Sequence, residues 1–136
     1  MNTEKIKEKT MALVQRDPLR YADMIASLAL GQGEVGLAKE EGVLLFDSLA
    51  QLYLLHVDKA AEASFFLDAM AAPKLVAVHQ EELVSLVATA FGLRPTMRCH
   101  QAVWSQPNAP DPGPPAISLC IRPLPPGMAD FVLNHY

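Results

Sequence analysis

The hydrophobic rhythm of the chain changes twice, from a period near 3.6 residues to a period of two and back again. Over residues 4–15, Ile6, Thr10, Leu13 and Val14 recur at helical spacing, and a second stretch sets Tyr21, Met24, Ile25 and Leu28 on one helix face. Asp17 followed by Pro18 predicts the cap and first turn of that second helix. Gly31 lies just past its last turn, where a left-handed residue ends a helix at little cost. After Gly33 the pattern turns extended, and residues 34–39, 43–47 and 51–57 predict three antiparallel strands. Glu40-Glu41-Gly42 and Ser48-Leu49-Ala50 are the hairpin connections, with Gly42 expected to supply a positive φ. The third strand, LYLLHV, is apolar on both faces, which suits a central strand covered on two sides.

Helical spacing then returns. Asp58 is placed to cap a helix bearing Ala61, Phe65, Leu67 and Ala69, KLVAVH reads as a brief buried strand, and QEELVSLVATAFG as a helix with Leu83, Leu86, Val87 and Ala90 inward and Gly92 as its stop. A strand between two helices implies a crossover. By its handedness rule, the strand ending at His79 should run parallel to the one ending at His56, with the helix after Asp58 packed across the sheet. Residues 97–105, MRCHQAVWS, predict a long strand. Residues 106–115 hold five of the eleven prolines and predict a linker or exposed loop. Residues 117–136 then read as a short apolar strand and the start of a helix carrying Ala129, Val132 and Leu133. The resulting order, ααβββαβαβ(β)α, predicts an α+β fold with a mixed sheet flanked by helices.

At 136 residues the chain has the length of one ordinary domain, and 51% hydrophobic against 19% charged residues argues for a packed core and against disorder over most of its length. Its net charge of -4 does not suit a phosphate backbone, so no nucleic-acid partner is expected. The opening residues lack the apolar core of a signal peptide, and no stretch approaches the ~18 uninterrupted apolar residues of a membrane span. The expectation is a cytoplasmic chain with no membrane partner. Cys99 and Cys120, both in strand-like runs, are expected to be buried free thiols. Trp104, Tyr53 and Phe46 are expected to pack in a core or interface, and Glu40-Glu41, Glu81-Glu82 and Lys5/Lys7/Lys9 to be solvated.

This element order resembles the GNAT acyltransferase superfamily, lacking only that fold's first strand. Chains of that superfamily typically open with a strand bearing an Ile-Arg-Pro-Leu-like run, then a short turn with an acidic residue and a helix. Ile121-Arg122-Pro123-Leu124 followed by Asp130-Phe131-Val132-Leu133 is similar to that opening. Asp17-Pro18-Leu19-Arg20-Tyr21, Val78-His79-Gln80 and Met97-Arg98-Cys99-His100-Gln101 are similar to the leading half of bacterial tandem N-acetyltransferases of this kind, whose trailing half is catalytic. The resemblance divides the chain into a degenerate GNAT-like domain over 1–105, a proline-rich linker or loop over 106–116, and the start of a second unit over 117–136. On that division the chain stops where the catalytic half would begin. The alternative is that the last strand returns to complete the first sheet.

Acyl-CoA binding in the superfamily uses a glycine-bearing loop after the central strand, whose backbone amides hold the cofactor's pyrophosphate. Here that place reads His56-Val57-Asp58-Lys59-Ala60-Ala61-Glu62, without glycine and with two carboxylates. The tyrosine that serves many relatives as general acid has no counterpart over residues 80–91, where Phe91 has no proton to donate. The resemblance therefore implies no catalytic, cofactor-binding or metal residue in this chain, and acetyl-CoA only where a trailing catalytic domain is present. The implied partner is that trailing GNAT domain. The other reading is a free-standing interaction module with a homodimer partner. His56 and His79 end neighbouring strands at the edge where ligands commonly bind in such sheets, and are singled out as a strand-end cleft. Without further ligands at metal spacing or an adjacent nucleophile, they read as structural or partly exposed histidines. His100 and His135 belong to no pattern.

Overall fold

The helical rhythm at the start of the chain gives two helices in a computed structural model that describes residues 2–100. The first, α1 (Thr3–Val14), begins at Asn2, whose side chain accepts from the Glu4 amide. The second, α2 (Ala22–Ala29), starts later than Asp17-Pro18 suggested. Asp17 caps a separate turn instead: its carboxylate accepts from the Arg20 amide at 3.2 Å and its carbonyl from the Tyr21 amide at 3.1 Å. Gly31, at φ 73°, ends the helix as expected.

Three antiparallel strands follow, β1 (Gly33–Lys39), β2 (Gly42–Asp47) and β3 (Leu52–Val57). Lys39 pairs with Gly42, so the first hairpin turns on Glu40-Glu41 alone, and Gly42 is a strand residue without a positive φ. Its lack of a side chain serves close approach: a Cβ there would lie 2.4 Å from the His56 carbonyl oxygen and 3.0 Å from Phe66 Cζ. The second connection is residues 48–51, because Asp47 pairs with Leu52. The Asp47 carboxylate accepts from the Leu49 and Ala50 amides at 3.0 and 2.8 Å and from Ser27 Oγ at 2.7 Å, while Gln51 takes the left-handed conformation at φ 54°.

After β3 the chain forms a 3-10 turn (Ala60–Glu62), α3 (Ala63–Asp68), β4 (Val76–Val78) and α4 (Glu82–Phe91), which stops at left-handed Gly92. No side chain caps the turn or α3, so Asp58 does not have the capping role assigned to it. The sheet order is β1-β2-β3-β4, with β4 parallel to β3 as the crossover rule required. Among the described residues the chain is therefore an α+β protein with a four-stranded mixed sheet and four α-helices.

Alternation along the strands separates two apolar layers. On one side Leu44, Leu55 and Val57 meet Phe66 of α3 and Leu83 and Val87 of α4. On the other, Val43, Leu45 and Leu54 meet Val14 of α1 and Tyr21 and Met24 at the start of α2. Phe66, 1% exposed, points inward from α3 together with Ala63, and its burial contributes roughly 1.5–3 kcal/mol. Phe65 lies outside, with Lys39 Nζ 4.6 Å from its ring centroid, and Ala61 and Ala69 are exposed. In α4, Leu83 and Val87 face inward as expected, whereas Leu86 and Ala90 are exposed. Phe46 and Tyr53 pack ring against ring at 5.0 Å.

Residues 97–100 form no strand, and Cys99 is exposed rather than buried because no ladder carries it inward. The rest of the strand expected at 97–105, with Trp104, lies outside the described residues. So do the boundary at 105, the proline-rich segment, Cys120, the fragment 117–136 and His135.

Candidate functional site

Parallel pairing brings the carboxyl ends of β3 and β4 side by side, with Tyr53, Leu54 and Leu55 opposite Val76, Ala77 and Val78. The ladder continues one residue further, where the His79 amide donates to the Leu55 carbonyl at 3.0 Å. Period-two alternation places His56 and His79 on the α2 side of the sheet, together with Leu54 and Ala77. The two sequence-predicted residues do meet: their ring centroids are 5.4 Å apart. Tyr21 closes the group, 4.9 Å from the His56 ring and 6.4 Å from that of His79.

The Asp17 turn presents the charged partners. Arg20 reaches Asp17 through Nε at 3.1 Å and Asp58 through Nη1 at 3.3 Å, tying the turn to the end of β3. Asp23, in the first turn of α2, accepts from the Met24 amide with one oxygen and contacts His79 Nε2 at 2.8 Å with the other. His56 Nε2 has two neighbours, Asp58 Oδ1 and Gln80 Nε2, each at 3.1 Å. The Gln80 amide also donates to the Val57 carbonyl at 2.7 Å and accepts from the Val57 amide at 3.4 Å. Its side chain thus joins the strand ends where the ladder has run out.

A cleft of about 650 Å³ lies over this edge, lined among others by Leu19, Arg20, Asp23, His79, Cys99 and His100. His56, only 4% exposed, forms its floor. Burial, and to a smaller degree the neighbouring His79, pushes the His56 imidazole below its ordinary value against the opposing pull of Asp58. Burial, followed by the Asp58 charge, raises the Tyr21 phenol above its own. Nδ1 of both histidines is sealed from solvent and has no hydrogen-bond partner. Each Nε2 already lies against a carboxylate, so neither ring turns an unengaged nitrogen towards the cleft. The arrangement can clamp and titrate. To bind a metal or abstract a proton from a ligand, it would first have to give up a contact. No group of three metal-ligating side chains occurs among the described residues.

The turn that would have to cradle a phosphate begins at Val57. Three of its amides are committed within the protein: Val57 to Gln80 Oε1 at 3.4 Å, Asp58 to the Glu41 carbonyl at 2.7 Å and Glu62 to the Lys59 carbonyl at 2.9 Å. Sequence reasoning found the two histidines and missed Arg20, Tyr21, Asp23, Asp58 and Gln80 as their partners. Asp23 and His79 are 56 positions apart, and no local pattern links them. His100 and the thiol-bearing Cys99 also join the cleft lining without a sequence signal.

No helix among the described residues is long and apolar enough to cross a membrane. No family model, curated protein or solved structure matches the chain.

Proposed function

We propose that this chain is the non-catalytic leading domain of a bacterial tandem GNAT-type N-acetyltransferase, acting in the cytoplasm to support a trailing catalytic unit that binds acetyl-CoA. The fold is compatible with that reading: a three-stranded meander, a helical crossover and a parallel fourth strand, preceded by two helices. The observation that carries the reading is the turn after β3, where the Val57, Asp58 and Glu62 amides are spent on Gln80, Glu41 and Lys59 and the Asp58 carboxylate stands beside them. A pyrophosphate held by those three amides would have to displace their bonds and approach a negative charge. Isothermal titration of the chain with acetyl-CoA tests the reading directly. No saturable heat is expected, and micromolar binding would overturn it.

A second reading, a free-standing interaction module that pairs with its own copy, is favoured by the opposite end of the sheet. There Leu30 and Leu49 are 69% and 74% exposed, on segments joined by the Ser48 amide and hydroxyl bonding to the Gln32 carbonyl. Sedimentation equilibrium of the chain separates the two. A stable dimer that Leu30→Ser and Leu49→Ser together dissolve favours the module, and a monomer favours the accessory domain.

A further inference from the structure

His56 Nε2 lies 3.1 Å from a hydrogen-bond donor, the Gln80 amide nitrogen, and 3.1 Å from an acceptor, Asp58 Oδ1. One ring nitrogen cannot serve both at once: bare, it accepts from Gln80; protonated, it donates to Asp58. The identity of Gln80 Nε2 is fixed independently, since it is the atom 2.7 Å from the Val57 carbonyl while Oε1 faces the Val57 amide. One amide hydrogen goes to Val57, and the other points at His56. The latch assigns the neutral ring its hydrogen on Nδ1, where it meets no acceptor; in that tautomer every polar group of the Gln80 side chain is satisfied, and Asp58 is held by Arg20.

We propose that Gln80 is a proton-released latch between the ends of β3 and β4, with His56 Nε2 as its sensor. A proton from solvent bound at Nε2 turns that nitrogen into a donor aimed at Asp58. Two N–H groups then oppose each other across the Gln80 contact, and the Gln80 side chain leaves Val57. The Val57 amide and carbonyl lose their partner and the strand ends part at the floor of the cleft. The other groups facing His56 set the point of release. Tyr21 and Arg20 border the ring from the turn before α2, and Asp23 contacts His79 from α2 itself. His79 opposes a charge on His56, Asp58 favours it, and Arg20 opposes it. Cys99 and His100 line the same cleft. The latch needs no ligand and is independent of whether a trailing domain exists.

The test is amide hydrogen exchange at Val57 in the whole chain, expressed as a protection factor across the titration of the His56 ring signals in NMR spectra. Val57 protection should fall about tenfold in step with protonation of His56, while β2 amides keep theirs. Asp58→Asn, at an exposed carboxylate, removes the charge that draws the Nε2 proton outward, so release should move to lower pH. Gln80→Ala should leave Val57 as weakly protected at neutral pH as the wild type is after release. The latch is overturned if Val57 protection stays constant through the His56 titration, if Asp58→Asn releases at the wild-type pH, or if Gln80→Ala keeps full Val57 protection.

Discussion

Replacing Gly42 by alanine tests whether close approach, rather than backbone conformation, dictates glycine at the start of β2. The added Cβ would sit 2.4 Å from the His56 carbonyl oxygen, and 3.0 Å from both Val57 Cα and Phe66 Cζ. Two of those three atoms belong to the backbone of β3, the strand that separates the two apolar layers, so no rotamer change relieves the clash. The strands must move apart at a point where Gly42 pairs with Val57. Overpacking of this kind costs typically about 1–3 kcal/mol, and the backbone contact places Gly42→Ala towards the upper end, at about 2–3 kcal/mol. For a domain of roughly this size that lowers the melting temperature by on the order of 10 °C or more. The control is Gly31→Ala, where a Cβ meets nothing within 4 Å and only the φ of 73° opposes it. Its cost should stay near 1 kcal/mol. Urea denaturation of both variants, followed by far-ultraviolet circular dichroism, gives the comparison. The reasoning fails if Gly42→Ala lies within about 0.5 kcal/mol of the wild type, or if Gly31→Ala is the more damaging of the two.

Three further outcomes are expected. Phe66→Ala should destabilise the protein by about 3–5 kcal/mol, because the ring is 1% exposed between β3 and α4, whereas Phe65→Ala, at 60% exposure, should stay within about 1 kcal/mol in the same denaturation assay. Asp47 is held below the ordinary carboxylate range, first by the Ala50 amide and then by the Ser27 hydroxyl, so its contribution is present above the ordinary carboxylate value and is lost as pH falls through the lower folded one; Asp47→Asn should flatten the urea midpoint between about pH 5 and pH 2. His56 is likewise depressed, chiefly by burial, so below the ordinary imidazole value the unfolded chain binds more protons than the folded one and stability falls with pH; His56→Gln should weaken that slope between about pH 7 and pH 5, and an unchanged slope would place its origin elsewhere.

The change of period and the order of elements are legible in the residues, whereas the side-chain contacts between distant segments are not. The change of period at Gly33 located three strands within a residue of their ends, and the strand-helix-strand order was enough to make β4 parallel to β3. That in turn brought His56 and His79 together, since both end strands of the same direction. The turn pattern singles out Gly42 for a positive φ that it does not adopt, because the reason for glycine there lies in His56 and Phe66, 14 and 24 positions on. Asp58 carries a capping residue's side chain before a helical stretch, yet Arg20 draws it away to the other side of the strand end. In α4 every third or fourth residue is apolar around most of the circumference, so periodicity could not choose between the Leu83/Val87 face and Leu86. The choice belongs to β3 and α3. The exposed Cys99 shows the opposite failure, a strand-like composition over residues 97–100 with no paired neighbour to make it a strand.

The sheet is a partition as well as a scaffold. Phe66 and Leu83 share one compartment and Met24 and Val14 the other, with only backbone between them. Losses within a compartment interact, whereas losses on opposite sides tend to sum. A lineage is thus free to rework the α1/α2 wall without compensating changes beneath α3 and α4. The exception is the edge where Tyr21, His56 and His79 crowd together, and there inheritance is obliged to move several residues in concert.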